Sequence, residues 1–567
     1  MKELVFKTIK KTIEKLGMKV DDEKIISAIE IPKDYSKGDF AFPCFVLAGI
    51  FKMPPREIAI QIRREIENAP IEFENIETEE AYINFFFNRK NLAFETLKKI
   101  KKEGDNYGKN NDSKNEKTMI EFPSPNTNKP LHLGHLRNMS IGESISRISE
   151  FNGEKVVRTN LNNDRGIHIC KSMLAYKKWG KGKKPVKKKS DHLVGDFYVK
   201  YSQYEKKNPD IEKEVHDLLG KWENGDKKTI KLWEKMNKWA LDGFKETYKN
   251  FQISHDKEYF ESKIYKKGKE IILDGVKKGV FQQLEDGSIK FDLKEEGLGE
   301  KYLLRGDGTS LYVTQDIYLA YLKQKEFKLT KNYYVVGNEQ EYHFKVLFKI
   351  LEKLKIPLKG LKHLSYGMVN LPEGKMKSRE GTVVDADTLI DQMQKLAQKE
   401  ISKREKSISK TELKKRSQVI ALSGLKYMLL KIDIMKNMLF DPKESISFEG
   451  NTGPYLLYSY ARANSILNKF KKEPKIIFSE NLEEKETELI LKLNEFPRIV
   501  KKSYGSLNPS LIATYSYELS KIFNEFYHSH NVLKSNKEEF RISLVNSFRQ
   551  VLKNSLYLLG IGVLEKM

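Results

Sequence analysis

Cysteine is almost absent from this chain: 567 residues contain two, Cys44 and Cys170. Neither belongs to a C-x-x-C pair, which excludes a disulfide framework and argues against a cysteine zinc site, so no structural metal is expected. No run of about 18 apolar residues occurs and the amino terminus lacks a charged-then-apolar leader, so neither a membrane span nor secretion is indicated. A cytoplasmic protein without a membrane partner is the expectation. Internal repeats are missing as well. What the chain has in excess is positive charge, +24 from 103 Lys and Arg against 79 Asp and Glu. Such an excess favours a polyanionic partner, nucleic acid first, although a lysine-favouring composition would give the same number.

A chain of this length should hold three or four domains. The first hundred residues open with an amphipathic stripe (Leu4, Val5, Ile9, Ile13, Leu16) and close with the aromatic strand Ala81-Tyr-Ile-Asn-Phe-Phe-Phe-Asn88, a small α/β module. Residues 102–117 contain too little apolar material to pack and mark a boundary. Beyond residue 118, short apolar strands (Lys117–Phe122, Val156-Val157, Tyr333–Val336, Tyr366–Asn370) alternate with amphipathic helices, the pattern of a parallel sheet covered by helices. Lysine-rich helical sequence from about 176 to 298 interrupts that pattern as an insertion. Past about 440 the pattern is helical, with Ile512, Tyr515, Leu519, Ile522 and Phe526 on one stripe and Leu544, Phe548, Val551, Leu552, Leu556 and Leu559 on another.

Two short motifs carry chemistry. His132-Leu133-Gly134-His135 follows the strand Lys117–Phe122 and the turn-rich Pro123-Ser-Pro-Asn-Thr-Asn-Lys-Pro130, and it opens a helix that runs to Asn152-Gly153. A helix start offers unpaired N–H groups to an anion, two imidazoles can donate to phosphates, and Gly134 admits a flat adenosine. More than two hundred residues later comes Gly374-Lys-Met-Lys-Ser-Arg-Glu-Gly381, a basic glycine-bounded loop. Alone it reads as a solvated surface loop. Paired with the first motif, it can meet the charge that gathers on a departing pyrophosphate, with Lys375 the main candidate.

In this order the motifs resemble the HIGH-like and KMSKS-like signatures of class I aminoacyl-tRNA synthetases. Further segments narrow the resemblance to the arginyl-tRNA synthetase family: Glu121–Asn138, Asn163-Asp-Arg-Gly166, Gly308–Asp316, His363–Val369 and Phe448–Tyr455. The likeness covers nearly the whole chain. It implies an α/β protein with a Rossmann-like catalytic domain (118–390, insertion 176–298), a small α/β amino-terminal domain (1–105), a linker (106–117), a connecting helical segment (391–445) and an all-α carboxy-terminal anticodon bundle (446–567).

The resemblance also implies roles. Glu121, Ser124, Asn126, His132, Tyr312, Asp316 and Gln340 would line the arginine site, with Glu121 and Asp316 on the guanidinium, a planar fork that carboxylates pair bidentately. His132, Gly134, His135, His343, Lys375, Met376 and Ser378 would hold ATP. The second motif here has Ser378 where the general pattern has lysine, and Lys129, just before the first motif, would supply the displaced charge, making Lys129, His132, His135 and Lys375 the catalytic set. For RNA, Tyr455, Tyr458 and Arg462 fall at i, i+3 and i+7 on one helix face, with the chain end at Met567 nearby, and in the amino-terminal module Asn84 and Phe87 match positions that read a tRNA loop in some members. The expected substrates and partners are L-arginine, ATP with Mg²⁺ accompanying it, and tRNA-Arg, with the enzyme a monomer. The lysine run 177–189 has no address from sequence. Another class I synthetase and a catalytically silent tRNA-binding relative remain alternative readings.

Overall fold

The computed structural model describes residues 1–567 apart from 33, 35, 36, 307–310, 357–359, 371, 373–383, 478 and 480, and apart from the side chain of Tyr312. The chain divides into two units. One gathers Met1–Gly104, Ile466–Asn494 and Ile522–Gln550; the other gathers Asp105–Ser465, Glu495–Lys521 and Val551–Met567.

In the first unit, strands β1 (Phe40–Pro43), β2 (Phe73–Glu79) and β3 (Tyr82–Phe87) form an antiparallel sheet in the order β1-β3-β2. The helix Lys2–Lys15 turns the predicted stripe of Val5, Ile9 and Ile13 into a core with Ile58, Ile62, Phe85 and Phe87.

The second unit is built on five strands, β4 (Lys117–Glu121), β5 (Lys155–Asn162), β6 (Lys257–Phe260), β10 (Lys331–Gly337) and β11 (Gly360–Tyr366), all parallel in the order β11-β10-β4-β5-β6. From β4 the chain proceeds outward one way through β5 and β6, and from β10 the other way through β11. The reversal opens a crevice at the carboxyl ends of β4 and β10, where sheets of this kind bind ligands. The helix Leu133–Phe151, which starts with the first motif, lies over that crevice. Gly142 makes its close approach possible, since a Cβ there would lie 2.2 Å from the Phe122 ring. Arg158 on β5 fixes the same helix, pairing with Glu143 (2.8 Å) and Glu150 (2.6 Å).

Three readings from sequence change. The stretch 176–298 is not one insertion, because β6 lies inside it and completes the central sheet; flanking β6 are helices Ser190–Glu205, Ile211–Glu223 and Lys227–Phe251 and an antiparallel sheet of β7 (Gln282–Gln283), β8 (Ile289–Leu293) and β9 (Gly299–Leu304). β6 escaped notice because Lys257-Glu-Tyr-Phe260 is a short edge strand with little apolar sequence. The segment Tyr366–Asn370 is two pieces, the end of β11 and a short β12 (Val369–Asn370) that pairs in parallel with β13 (Met438–Leu439). The polar stretch before β4 does pack: Tyr107 is buried and stacked on Phe496, and the backbone N–H groups of Asn110 and Ser113 donate to Phe151 and Asn152. Beyond residue 384 the structure is helical apart from β13, through Ala386–Arg404, Lys410–Leu430, Gly453–Phe470, Glu484–Ser506, Ser510–Ser529 and Glu538–Leu558.

Candidate active site

The first motif folds on itself. His132 is the N-cap of the helix Leu133–Phe151: its Nδ1 accepts from the Gly134 N–H (3.2 Å), and its own N–H donates to Nδ1 of His135 (3.1 Å). The rings lie 3.9 Å apart at 38°. Since both Nδ1 atoms accept, each neutral ring carries its proton on Nε2. Burial, reinforced by the charge of Lys129, pushes His132 down to about 3, and His135 is held well below the usual imidazole range by burial, His132 and Lys129. Near neutral pH the pair therefore presents two uncharged Nε2–H donors at a helix amino terminus, an anion-binding arrangement. A Cβ at position 134 would sit 3.0 Å from Cε1 of His132, tight enough to push the ring that caps the helix.

Lys375, Met376 and Ser378 lie outside the described residues, but both flanks of their loop are described, and both are tied to this helix. After the loop, the Leu133 N–H donates to Val384 (3.3 Å), the Ala386 N–H donates to Leu131 (2.9 Å), and His132 bridges to Asp385. Before it, Arg137, fully buried one turn into the helix, donates to the carbonyls of Gly367 (2.9 Å) and Met368 (3.2 Å), and also to Ile434 (3.2 Å) and Lys436 (2.8 Å). Burial pulls its pKa down to about 10. Sequence reading passed over Arg137, although a lone basic residue on an otherwise apolar helix face was the available signal. A second tie holds the far flank: Lys189 donates to Asp387 (2.6 Å), and His192 lies 3.2 Å from Asp387 and 3.6 Å from Asp385. The bond to Asp387 raises the His192 pKa. Lys129, His132, His192, Tyr198 and Asp385 line a pocket of about 210 Å³.

The acids on the other side of the crevice come from separate elements, and each has a basic partner. Glu121, at the end of β4, is buried and accepts from the ammonium of Lys323, which is itself fully buried and 4.6 Å from the Tyr334 ring centroid. Asp316, in the helix Tyr312–Phe327, lies 2.6 Å from Nε2 of His343. Tyr334 sits between the two acids: burial, then Glu121 and Asp316, drive its pKa well above 10. A third acid, Glu261, was not found from sequence. It follows β6 directly, is 6% exposed, and is pushed up to about 7 by burial, with Asp164 and Asp316 adding to the rise and Arg165, 3.6 Å away, opposing it. A carboxylate just past the end of a parallel strand was the signal, hidden because β6 itself was not recognised. Arg165 in turn stacks on Tyr265 (4.0 Å) and Trp222 (5.6 Å) and pairs with Glu223 (2.6 Å).

The remaining predicted residues are placed as follows. The Asn163 side chain donates to the Ser124 carbonyl (3.2 Å), and exposed Asn126 bridges Asn163. Gln340 is exposed in a short turn after β10, and the Tyr312 side chain lies outside the described residues. His343, expected on the nucleotide, is instead brought to Asp316. Arg462 stacks on Tyr458 (4.7 Å) and donates to its hydroxyl (3.1 Å), Tyr455 meets Tyr517 (5.7 Å), and the Asn464 side chain donates to the Glu565 carbonyl (3.1 Å), bringing the chain end to this helix. Asn84 and Phe87 are turned into the amino-terminal core at 4% and 3% exposure, Phe87 against Phe40 and Phe73, so neither offers a surface to RNA here. Phe87 shares its strand face with Ile83 and Phe85, and Asn84, on the opposite face, is buried as well.

A doubly wound parallel sheet, an imidazole pair at a helix start over its switch point and a second basic motif whose described flank is tied to that start define a class I aminoacyl-tRNA synthetase. Family models described as "tRNA synthetases class I (R), catalytic domain", "DALR anticodon binding domain" and "Arginyl tRNA synthetase N terminal domain" match residues 96–442, 456–567 and 3–87. The chain is 48% identical over 559 residues to an arginine–tRNA ligase of Treponema denticola, covering 95% of this chain and 94% of that one. It is 44% identical over 585 residues to one from Borrelia duttonii, covering 100% and 99%. In fold it is similar to an arginyl-tRNA synthetase of Thermus thermophilus, with a TM-score of 0.84 at 23% identity and full coverage of both chains. The chain belongs to the arginyl-tRNA synthetase family.

Proposed function

We propose that the chain joins L-arginine to tRNA-Arg in two steps. The arginine carboxylate attacks the α-phosphorus of ATP, forming a C–O–P bond as the bond to the pyrophosphate oxygen breaks; the terminal ribose hydroxyl of the tRNA then attacks the adenylate carbonyl, losing its proton as AMP leaves. No enzyme nucleophile is needed, and catalysis rests on positioning and on donors that meet the leaving pyrophosphate. The observation that carries the reading is the pair of neutral Nε2–H donors at the helix start, with the far flank of the second motif hydrogen-bonded to the same tetrapeptide. Lys129 and Lys375 supply positive charge to the phosphates, and His132, Gly134 and His135 form the wall beneath them. On the amino-acid side, Asp316 and Glu261 face the guanidinium, with Glu121 behind them on Lys323, and with Ser124, Asn126, Tyr312 and Gln340 around the rest of the substrate. Tyr455, Tyr458, Arg462 and the chain end at Met567 meet the anticodon loop.

Mg²⁺ enters as part of the nucleotide substrate. The nearest described cluster of possible ligands, Asp191, His192 and Asp387, already carries the Lys189 ammonium on Asp387 and fits an ion-pair cluster rather than a metal cage. The protein works as a cytoplasmic monomer, with 1–105 assisting tRNA binding, 118–390 performing the chemistry and 446–567 reading the anticodon. ATP–pyrophosphate exchange measured with each amino acid, with and without tRNA-Arg, tests the proposal: exchange driven by arginine alone among the amino acids is expected. Exchange driven by another amino acid would assign a different specificity, and silence with and without tRNA would leave a tRNA-binding protein.

A further inference from the structure

The lysine run after the helix Ile167–Trp179 has a held shape. The Gly180 N–H donates to Tyr176 (2.7 Å), the Lys183 N–H to Gly180 (2.8 Å) and the Val186 N–H to Lys184 (2.9 Å), while the buried Tyr176 hydroxyl donates to the Lys183 carbonyl (2.9 Å) and receives the Lys235 ammonium (2.8 Å). At its far end Lys189 is locked on Asp387 (2.6 Å). A solvated loop has no need of such ties. The carboxylates within reach go to particular members: Glu214 to Lys178, Asp196 to Lys188, and Asp387 to Lys189. Lys177, Lys181, Lys183, Lys184 and Lys187 are exposed and form no ion pair among the described residues. Five like charges held close together repel one another unless a polyanion neutralises them.

The position of the turn is as telling as its charge. Lys188 lines the same pocket as Lys129, His132 and Asp385, so the basic turn forms part of the rim of the adenylate-forming site. An RNA 3′ end entering at that rim for the second step would carry its backbone phosphates past the turn.

We infer that Lys177, Lys181, Lys183, Lys184 and Lys187 form a phosphate-binding surface for the acceptor arm of the tRNA. The inference rests on the proposed RNA-charging reaction and assigns no base contact, so it predicts affinity and salt dependence without sequence preference.

The test is binding of three RNAs, full-length tRNA-Arg, an acceptor-arm hairpin with its single-stranded 3′ end, and an anticodon stem-loop, to the full chain and to the variant with all five lysines changed to glutamine, over a series of KCl concentrations. The variant should bind the tRNA and the acceptor hairpin at least about tenfold more weakly at 0.1 M salt. Its log–log salt slope should be shallower by about 0.7 to 0.9 for every lysine that meets a phosphate. Binding of the anticodon stem-loop should not change, and changing the same five lysines to arginine should restore the slope. An unchanged slope with the acceptor hairpin overturns the inference, as does equal weakening of the anticodon stem-loop, which would mean diffuse attraction. If the unaltered chain binds neither the tRNA nor the hairpin, the charging reaction itself is refuted.

Discussion

The two sides of the crevice are built differently. The side proposed for the phosphates is assembled from neighbours in sequence: His132, Gly134 and His135 cap one helix start with hydrogen bonds spanning two and three residues. The side proposed for the amino acid takes Glu121, Glu261 and Asp316 from the ends of two strands and from a separate helix, and each acid has a basic partner recruited from elsewhere, Lys323, Arg165 and His343. On the phosphate side burial keeps the groups uncharged; on the other, internal pairing restrains the charge. Desolvation favours neutral donors for an incoming polyanion, whereas a cationic substrate needs carboxylates, and among these burial leaves Glu261 protonated up to about 7.

The largest effect should come from breaking a pair on the assembled side. Lys323→Met strands Glu121 in the interior and should destabilise the catalytic unit by about 3–5 kcal/mol, read as a drop in thermal midpoint. Adding Glu121→Gln should recover part of that loss, whereas two additive losses would show that the residues act separately. On the local side, His135→Ala should lower arginine-dependent ATP–pyrophosphate exchange by roughly 10²–10³-fold, and Lys129→Ala by roughly 10²-fold, with little change in the KM for arginine. Unchanged kinetics in either variant would remove that residue from the machinery. Helix content by circular dichroism separates loss of the cap from loss of the donor.

A smaller effect lies in pH. Glu261, facing Arg165, Asp164, Asp316 and Gln315, holds its proton up to about 7, against 4.5 for a free carboxyl. A guanidinium needs the carboxylate, so the KM for arginine should fall as pH rises through about 7 and climb below it, and Glu261→Gln should flatten that profile. For stability the sign is opposite. The folded state binds this proton more tightly than the unfolded chain does, so the group's contribution to stability is fully present below about 4.5 and declines as pH rises to about 7. The smallest effect is expected from His343→Gln, which keeps a donor near Asp316: a change of a few-fold in the arginine KM, with the ATP KM unaltered. A large rise in the ATP KM would return His343 to the nucleotide.

These contrasts also explain what could be read from the sequence. The strand, turn and helix around His132 are local, so their residues were visible as a pattern, and β4, β5 and β10 announced themselves as apolar runs. Lys323 carried no such mark, and Arg137 only that of a lone basic residue on an apolar helix face. Each sits in a helix interior where a basic residue ordinarily faces water, and only tertiary packing turns one onto Glu121 and the other onto four backbone carbonyls. Glu261 was missed along with its strand. Asn84 and Phe87 show the opposite error: a family position was matched on a strand whose two faces are both buried there, Phe87 with Ile83 and Phe85 on one face and Asn84 on the other.

Arg137 has a consequence that reaches beyond the site. Among the described residues its guanidinium donates to carbonyl dipoles from two chain segments, and its planar fork reaches all four. Lysine, with three donors on one nitrogen, cannot reproduce that geometry. An enzyme that supplies arginine to the ribosome is itself translated from that supply. Every new copy inherits at position 137 the accuracy of the copies already at work, so an error in their choice of amino acid reappears as a defect in their successors.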